Sequence, residues 1–187
     1  MNNIVKTKSK KSLGFTLVEA MVAISILMVA VVSPLTIAQK GLSSAIYSKD
    51  QMVASYLAQD AIEYIKYLRD VNVQKILDGD TTITWLEGLG SCSNSCKVDS
   101  AKGNVSAIGS GSDKADLYIQ KDENGVFVYY THVSGTNEKS KFRREVSIIT
   151  SDGVEALIKV KVYWGGSGSS NNSITVKTYI YDLSSIL

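Results

Sequence analysis

Apolar residues follow three spacings in turn along this chain. From Phe15 to Ala38 they run almost without a break. Val53, Leu57, Ala61, Tyr64, Ile65 and Leu68 then recur at three- and four-residue steps, the stripe of an amphipathic helix. Asp60, Glu63, Lys66, Arg69 and Asp70 mostly take the other faces, with Lys66 and Asp70 spaced to pair. These patterns predict one long helix from about Thr16 to Asp70, roughly 80 Å end to end. From Asp116 the period drops to two. Leu117–Lys121 and Val126–His132 flank the turn signal Glu123-Asn124-Gly125, and Phe142–Thr150 and Val154–Trp164 flank Asp152-Gly153. Ser173–Asp182 follows a Gly/Ser-rich loop at 165–172. Ala156, Ile158, Val160, Val162 and Trp164 share one face, opposite Lys159, Lys161 and Tyr163. Ile174, Val176, Thr178 and Ile180 oppose Lys177, Tyr179 and Tyr181 in the same way. The expected fold class is α+β, with an antiparallel sheet that buries one face under the apolar stripe of the helix.

Two stretches are weaker. Pro34, the only proline, removes a backbone donor inside the helix, and Gly41, Ser43 and Ser44 lower its propensity. A kink or melted turn is expected between Ser33 and Ser44, at Pro34 and Gly41. Residues 71–114 read as loop, holding Asp78-Gly79-Asp80, Cys92 and Cys96, and Gly109-Ser110-Gly111-Ser112. Within it, a short strand or turn around Thr82–Leu89 would point Trp85 inward.

The continuous apolar run is 24 residues long, about 36 Å of helix at 1.5 Å per residue. A bilayer core of about 30 Å needs roughly 20 such residues, so 15–38 can span it. Lys6, Lys8, Lys10 and Lys11 precede it with no acidic residue among them, which puts the N-terminus in the cytoplasm. Glu19 is out of place in such a segment. A carboxylate at mid-membrane costs roughly 2.5–3.5 kcal/mol on insertion scales, less near an end. It either snorkels to the headgroups or has a partner within the membrane.

The junction itself reads Lys11-Ser12-Leu13-Gly14-Phe15-Thr16-Leu17-Val18-Glu19-Ala20. It resembles the signal of type IV pilins and pseudopilins. That resemblance implies cleavage by a prepilin peptidase between Gly14 and Phe15, N-methylation of Phe15, and pairing of Glu19 with the N-terminal amine of a neighbouring subunit. Two rivals are an ordinary signal peptide, with Ala20–Val32 as its core and Thr36-Ile37-Ala38 as a weak site, and an uncut single-pass anchor. The segment 51–63 and the strands holding Phe142-Arg143-Arg144 and Val160-Lys161-Val162-Tyr163-Trp164 resemble PilV-like minor pilins more loosely. The implied organisation is a cleaved leader at 1–14, a membrane and filament-core helix at 15–38, its amphipathic continuation at 39–70, a variable loop region at 71–114 and a sheet domain at 115–187.

Composition alters this picture little. The formal net charge is +2, but without the four leader lysines 16 basic residues face 18 acidic ones. Nothing in that balance calls for nucleic acid. Lys159, Lys161 and Lys177 with Tyr163, Tyr179 and Tyr181 could grip a DNA backbone, yet such residues are ordinary on a solvated strand face, and DNA is not expected as a partner. One histidine, no phosphate loop and no metal-ligand motif leave no active site, so no enzyme, metal or cofactor is expected. Asp78 and Asp80, or Asp122 and Glu123, lack EF-hand spacing and read as turns. Cys92 and Cys96 are expected to form a local disulfide in an exported chain, closing a ring worth about 2 kcal/mol.

Taken together, the sequence resembles a minor pilin of a type IV pilus, held first in the inner membrane and then in the filament. The alternatives are a type II secretion pseudopilin and an uncleaved membrane-anchored binding protein. The implied partners are the prepilin peptidase, other pilin or pseudopilin subunits, the inner-membrane assembly platform and membrane lipid.

Overall fold

A computed structural model describes residues 14–109, 115–165 and 172–185. The four leader lysines, residues 110–112 of the Gly/Ser run and most of the 165–172 loop lie outside them. The chain divides into two compact units, Met1–Tyr47 and Ser48–Leu187. One helix, α1 (Leu17–Leu77), supplies residues to both.

In the first unit every described residue is exposed, including the long apolar series from Phe15 to Leu42. Pro34 lies inside α1, and residues 33–44 are helical throughout. The melted turn expected between Ser33 and Ser44 is therefore not formed, and an unbroken helix satisfies the backbone groups of so apolar a segment internally. Two of its hydroxyls follow the same rule. Ser25 Oγ donates to the Met21 carbonyl at 2.8 Å, and Thr36 Oγ1 donates to the Val32 carbonyl at 2.9 Å.

In the second unit α1 runs seven residues past the expected end at Asp70. Its stop is a Schellman motif: Asp80 N–H donates to the Lys75 carbonyl and Gly79 N–H to the Ile76 carbonyl, both at 3.0 Å. Gly79 supplies the required left-handed backbone, at φ +102°. Asp78-Gly79 is therefore a helix end rather than part of a loop.

Among the described residues the sheet has seven strands: β1 (Cys96–Asp99), β2 (Asn104–Ala107), β3 (Asp116–Lys121), β4 (Phe127–Thr131), β5 (Glu138–Thr150), β6 (Glu155–Trp164) and β7 (Asn172–Tyr181). All pairings are antiparallel, β1–β2, β1–β5, β3–β4, β3–β5, β5–β6 and β6–β7. The long strand β5 is shared by three neighbours. The short strands β1 and β2 fall inside the region read as loop. At four residues each, they offer too little alternation to stand out.

Ala54, Leu57, Ala58, Ala61, Ile62 and Ile65 of α1 are buried against the sheet's inner face. That face presents Phe142, Val146 and Ile148 from β5, and Ala156, Ile158, Val160, Val162 and Trp164 from β6. The three alanines let the helix backbone approach closely, and each large side chain buried there stabilises the unit by about 1.5–3 kcal/mol. Trp85 is buried as expected, and its Nε1–H donates to the Gly153 carbonyl at 2.8 Å, pinning 81–89 to the β5–β6 turn. Lys66 pairs with Glu63 at 3.0 Å and Arg69 with Asp70 at 2.7 Å, so the expected Lys66–Asp70 pair gives way to nearer carboxylates.

Candidate functional site

The junction at the start of α1 is organised by one threonine. Gly14, Phe15 and Thr16 precede the helix and are exposed. Thr16 Oγ1 accepts the Glu19 amide proton at 3.2 Å, and the Thr16 carbonyl accepts that of Ala20 at 3.1 Å. Thr16 is thus the N-cap, Leu17 the first helical residue and Glu19 the third. Thr16-Leu17-Val18-Glu19 has the spacing of a capping box. The Glu19 carboxylate has no partner among the described residues, although its first-turn position lies at the positive end of the helix dipole, worth about 0.3–1 kcal/mol to an anion. Two consequences follow from the cap. The Gly14–Phe15 peptide is kept out of the helix and exposed, and the carboxylate is held one turn inside an otherwise apolar segment.

Residues 9–33 match the prokaryotic N-terminal methylation motif. This is the signal of type IV pilins and pseudopilins, and it covers Gly14, Phe15, Glu19 and the first turns of α1. It implies processing by prepilin peptidase and assembly with other pilins. No curated protein and no solved structure matches the chain. α1 is long and apolar enough to cross a membrane, and none of the residues in its most apolar window is buried. An apolar helix of this kind beside a prepilin signal marks a membrane-anchored protein. The long helix on an antiparallel sheet is the α+β architecture of pilins.

Behind the sheet surface lies a polar cluster that residue spacing did not disclose. Arg144 on β5 is buried, with Nη1 donating to the Leu57 carbonyl and to Asp60 Oδ2, each at 2.7 Å, and Nη2 donating to the Val98 carbonyl. One guanidinium therefore joins α1, β1 and β5. Burial pushes its pKa down, and the Asp60 carboxylate pushes it back up. Asp60 also accepts from Ser100 Oγ, whose single proton is shared between the two carboxylate oxygens at 2.8 and 2.7 Å. Nearby, Asp99 is buried and accepts from Thr131 Oγ1, the His132 amide and the Lys102 amide. His132 Nδ1 lies 3.1 Å from the Asp116 carbonyl, which fixes the proton there, while Nε2 has no partner among the described residues. Burial, aided by the Arg144 charge, lowers the His132 pKa to about 4. A second tie joins Lys141 to the buried Asp50 of α1 at 2.5 Å. The only advance signal for either tie was an acidic residue beside the apolar stripe.

The remaining candidates have structural settings. Cys92 and Cys96 are joined in a disulfide and buried, closing the turn from the 3-10 helix Gly90–Cys92 into β1. Asp80 Oδ1 accepts from the amide and hydroxyl of Thr82, which hold its carboxyl below the usual carboxylate range. Asp122 Oδ1 accepts from the amides of Asn124 and Val126 at the β3–β4 turn. Among the described residues no group of three or more His, Cys, Asp or Glu could hold a metal ion. Tyr163 is stacked by Arg143 at 4.3 Å and donates to Glu145 at 3.2 Å, so its ring is already occupied.

Proposed function

We propose that the chain is a structural minor subunit of a type IV pilus, nearest in kind to the PilV-like minor pilins. The observation that carries this reading is the N-methylation motif at residues 9–33, set at a helix start that leaves Gly14–Phe15 accessible. The leader faces the cytoplasm until prepilin peptidase cuts after Gly14 and Phe15 is methylated. The freed amine of one subunit then meets Glu19 of its neighbour, an opposite charge inside an apolar bundle, and this pairing sets the axial register. Pro34 and Gly41 act as the bending points of the packed helix. The sheet domain decorates or primes the filament and performs no catalysis.

Mass spectrometry of the N-terminus of protein recovered from filaments tests this directly. A methylated chain beginning at Phe15 is the expected result. One beginning at Gln39, or still carrying the leader, overturns it. A secretion pseudopilin shares the motif; it would yield the same N-terminus but fail to appear in sheared surface fibres.

A further inference from the structure

The last strand leaves the sheet with an open side. β7 pairs with β6 over ten consecutive residues, from Glu155↔Tyr181 to Trp164↔Asn172, without a bulge. Among the described residues its other edge pairs with no strand and makes no backbone hydrogen bond. Sheets usually protect a long edge by shortness, proline, a bulge or several charges. β7 has ten residues, no proline, no bulge and one charge, Lys177.

Its two faces describe what would fit. On the inner face every β6 side chain from Ala156 to Trp164 is buried, whereas Ile174 and Val176 of β7 pack on the core but stay half-exposed. The core is one strand short at this edge. On the outer face Lys177 lies directly across from Lys159. Lys161, next along the β6 row, already faces Glu145 of β5 and sits over the Tyr163 ring, so the like-charge pair Lys159–Lys177 at the open edge is the one left without a carboxylate across from it. None of these three lysines has an ion pair among the described residues. Like charges placed opposite one another across a sheet are destabilising, and a carboxylate beside them would relieve that.

We propose that the β7 edge is a strand-addition site for an extended segment of a partner protein that alternates apolar with acidic residues. The incoming backbone completes the ladder, its apolar side chains cover Ile174 and Val176, and its carboxylates meet the lysine row. A second copy of β7 would instead add more lysine to that row. Nucleic acid would bring negative charge without a ladder or an apolar cover. The inference is independent of the N-terminal reading, since neither cleavage nor membrane insertion involves β7.

The test uses the full chain in detergent micelles and a short peptide alternating valine with glutamate. The outward amides of residues 172–181 should exchange at least about ten-fold more slowly once the peptide is added. The double substitution Lys159→Glu, Lys177→Glu should abolish that protection and confer it instead on a valine–lysine peptide. Unchanged exchange within β6 in the variant will show that the sheet is intact. Absence of protection in β7, equal protection by both peptides, protection that rises with protein concentration alone, or protection by a single-stranded oligodeoxynucleotide would each overturn the proposal.

Discussion

Arg144 Nη1 lies 2.7 Å from Asp60 Oδ2, so a fully buried cation in the sheet is neutralised by a half-exposed carboxylate on the helix. The pair is lopsided, and its two halves should respond differently to mutation. Arg144→Ala leaves a cavity and strips two buried backbone carbonyls of their donor, which together should cost about 3–5 kcal/mol in denaturant unfolding. Asp60→Asn keeps an acceptor near the guanidinium and should cost less, about 1.5–3 kcal/mol. Equal losses would mean that the charge, rather than the multiple anchoring, dominates.

His132 makes the fold acid-sensitive. It is neutral when folded, with a pKa near 4, against an ordinary value of 6.5. The unfolded chain therefore binds more protons between these two values. Stability should be complete above about pH 6.5 and fall progressively as pH drops towards 4, by on the order of 2–3 kcal/mol. His132→Gln should flatten that part of the profile in pH-dependent thermal unfolding.

Thr16 should act as a cap whatever the fate of the leader. Thr16→Ala is expected to weaken the first turn by about 1 kcal/mol, and Thr16→Ser to leave it intact. Hydrogen exchange at the Glu19 and Ala20 amides, whose protons Thr16 holds, should quicken in the alanine variant alone.

Glu19→Ala should leave cleavage after Gly14 unchanged while abolishing incorporation into filaments. Glu19→Gln, which keeps the shape without the charge, should also fail if ion pairing is what matters. Comparing processed protein in membranes with protein in sheared fibres separates the two steps.

The disulfide closes too small a ring to hold the fold. Cys92→Ser together with Cys96→Ser should cost about 2 kcal/mol by the loop-closure argument, with helix and sheet otherwise retained. Circular dichroism should stay native-like while the unfolding midpoint shifts.

Residue spacing revealed the large periodic elements because burial imposes a period. The inward row from Ala156 to Trp164 and the stripe around Leu57, Ala61 and Ile65 were legible for that reason. The end of α1 was less clear, since Gly79 serves a turn and a helix stop equally well until its hydrogen bonds are known. Arg144 could not be found by pattern. It occupies an inward position between Phe142 and Val146, where alternation calls for an apolar residue, and its partners come from α1 and β1. At the junction, Thr16-Leu17-Val18-Glu19 carried a capping signal in plain view, masked by the stronger signal of the motif around it.

The wide separation of Asp60 and Arg144 also bears on how the protein is made. They lie 84 residues apart in the chain. At about 5–20 residues per second of synthesis, the docking helix emerges on the order of 4–17 s before the arginine that neutralises it. Throughout that interval Leu57, Ile62 and Ile65 have no sheet to cover them, while the preceding apolar segment is already seeking the bilayer. The β5–β6 hairpin can form locally as soon as it appears, and the helix must wait for it. A nascent chain of this kind needs shelter between its membrane segment and its last strands, so its yield should depend on a holding chaperone more than its final stability would suggest.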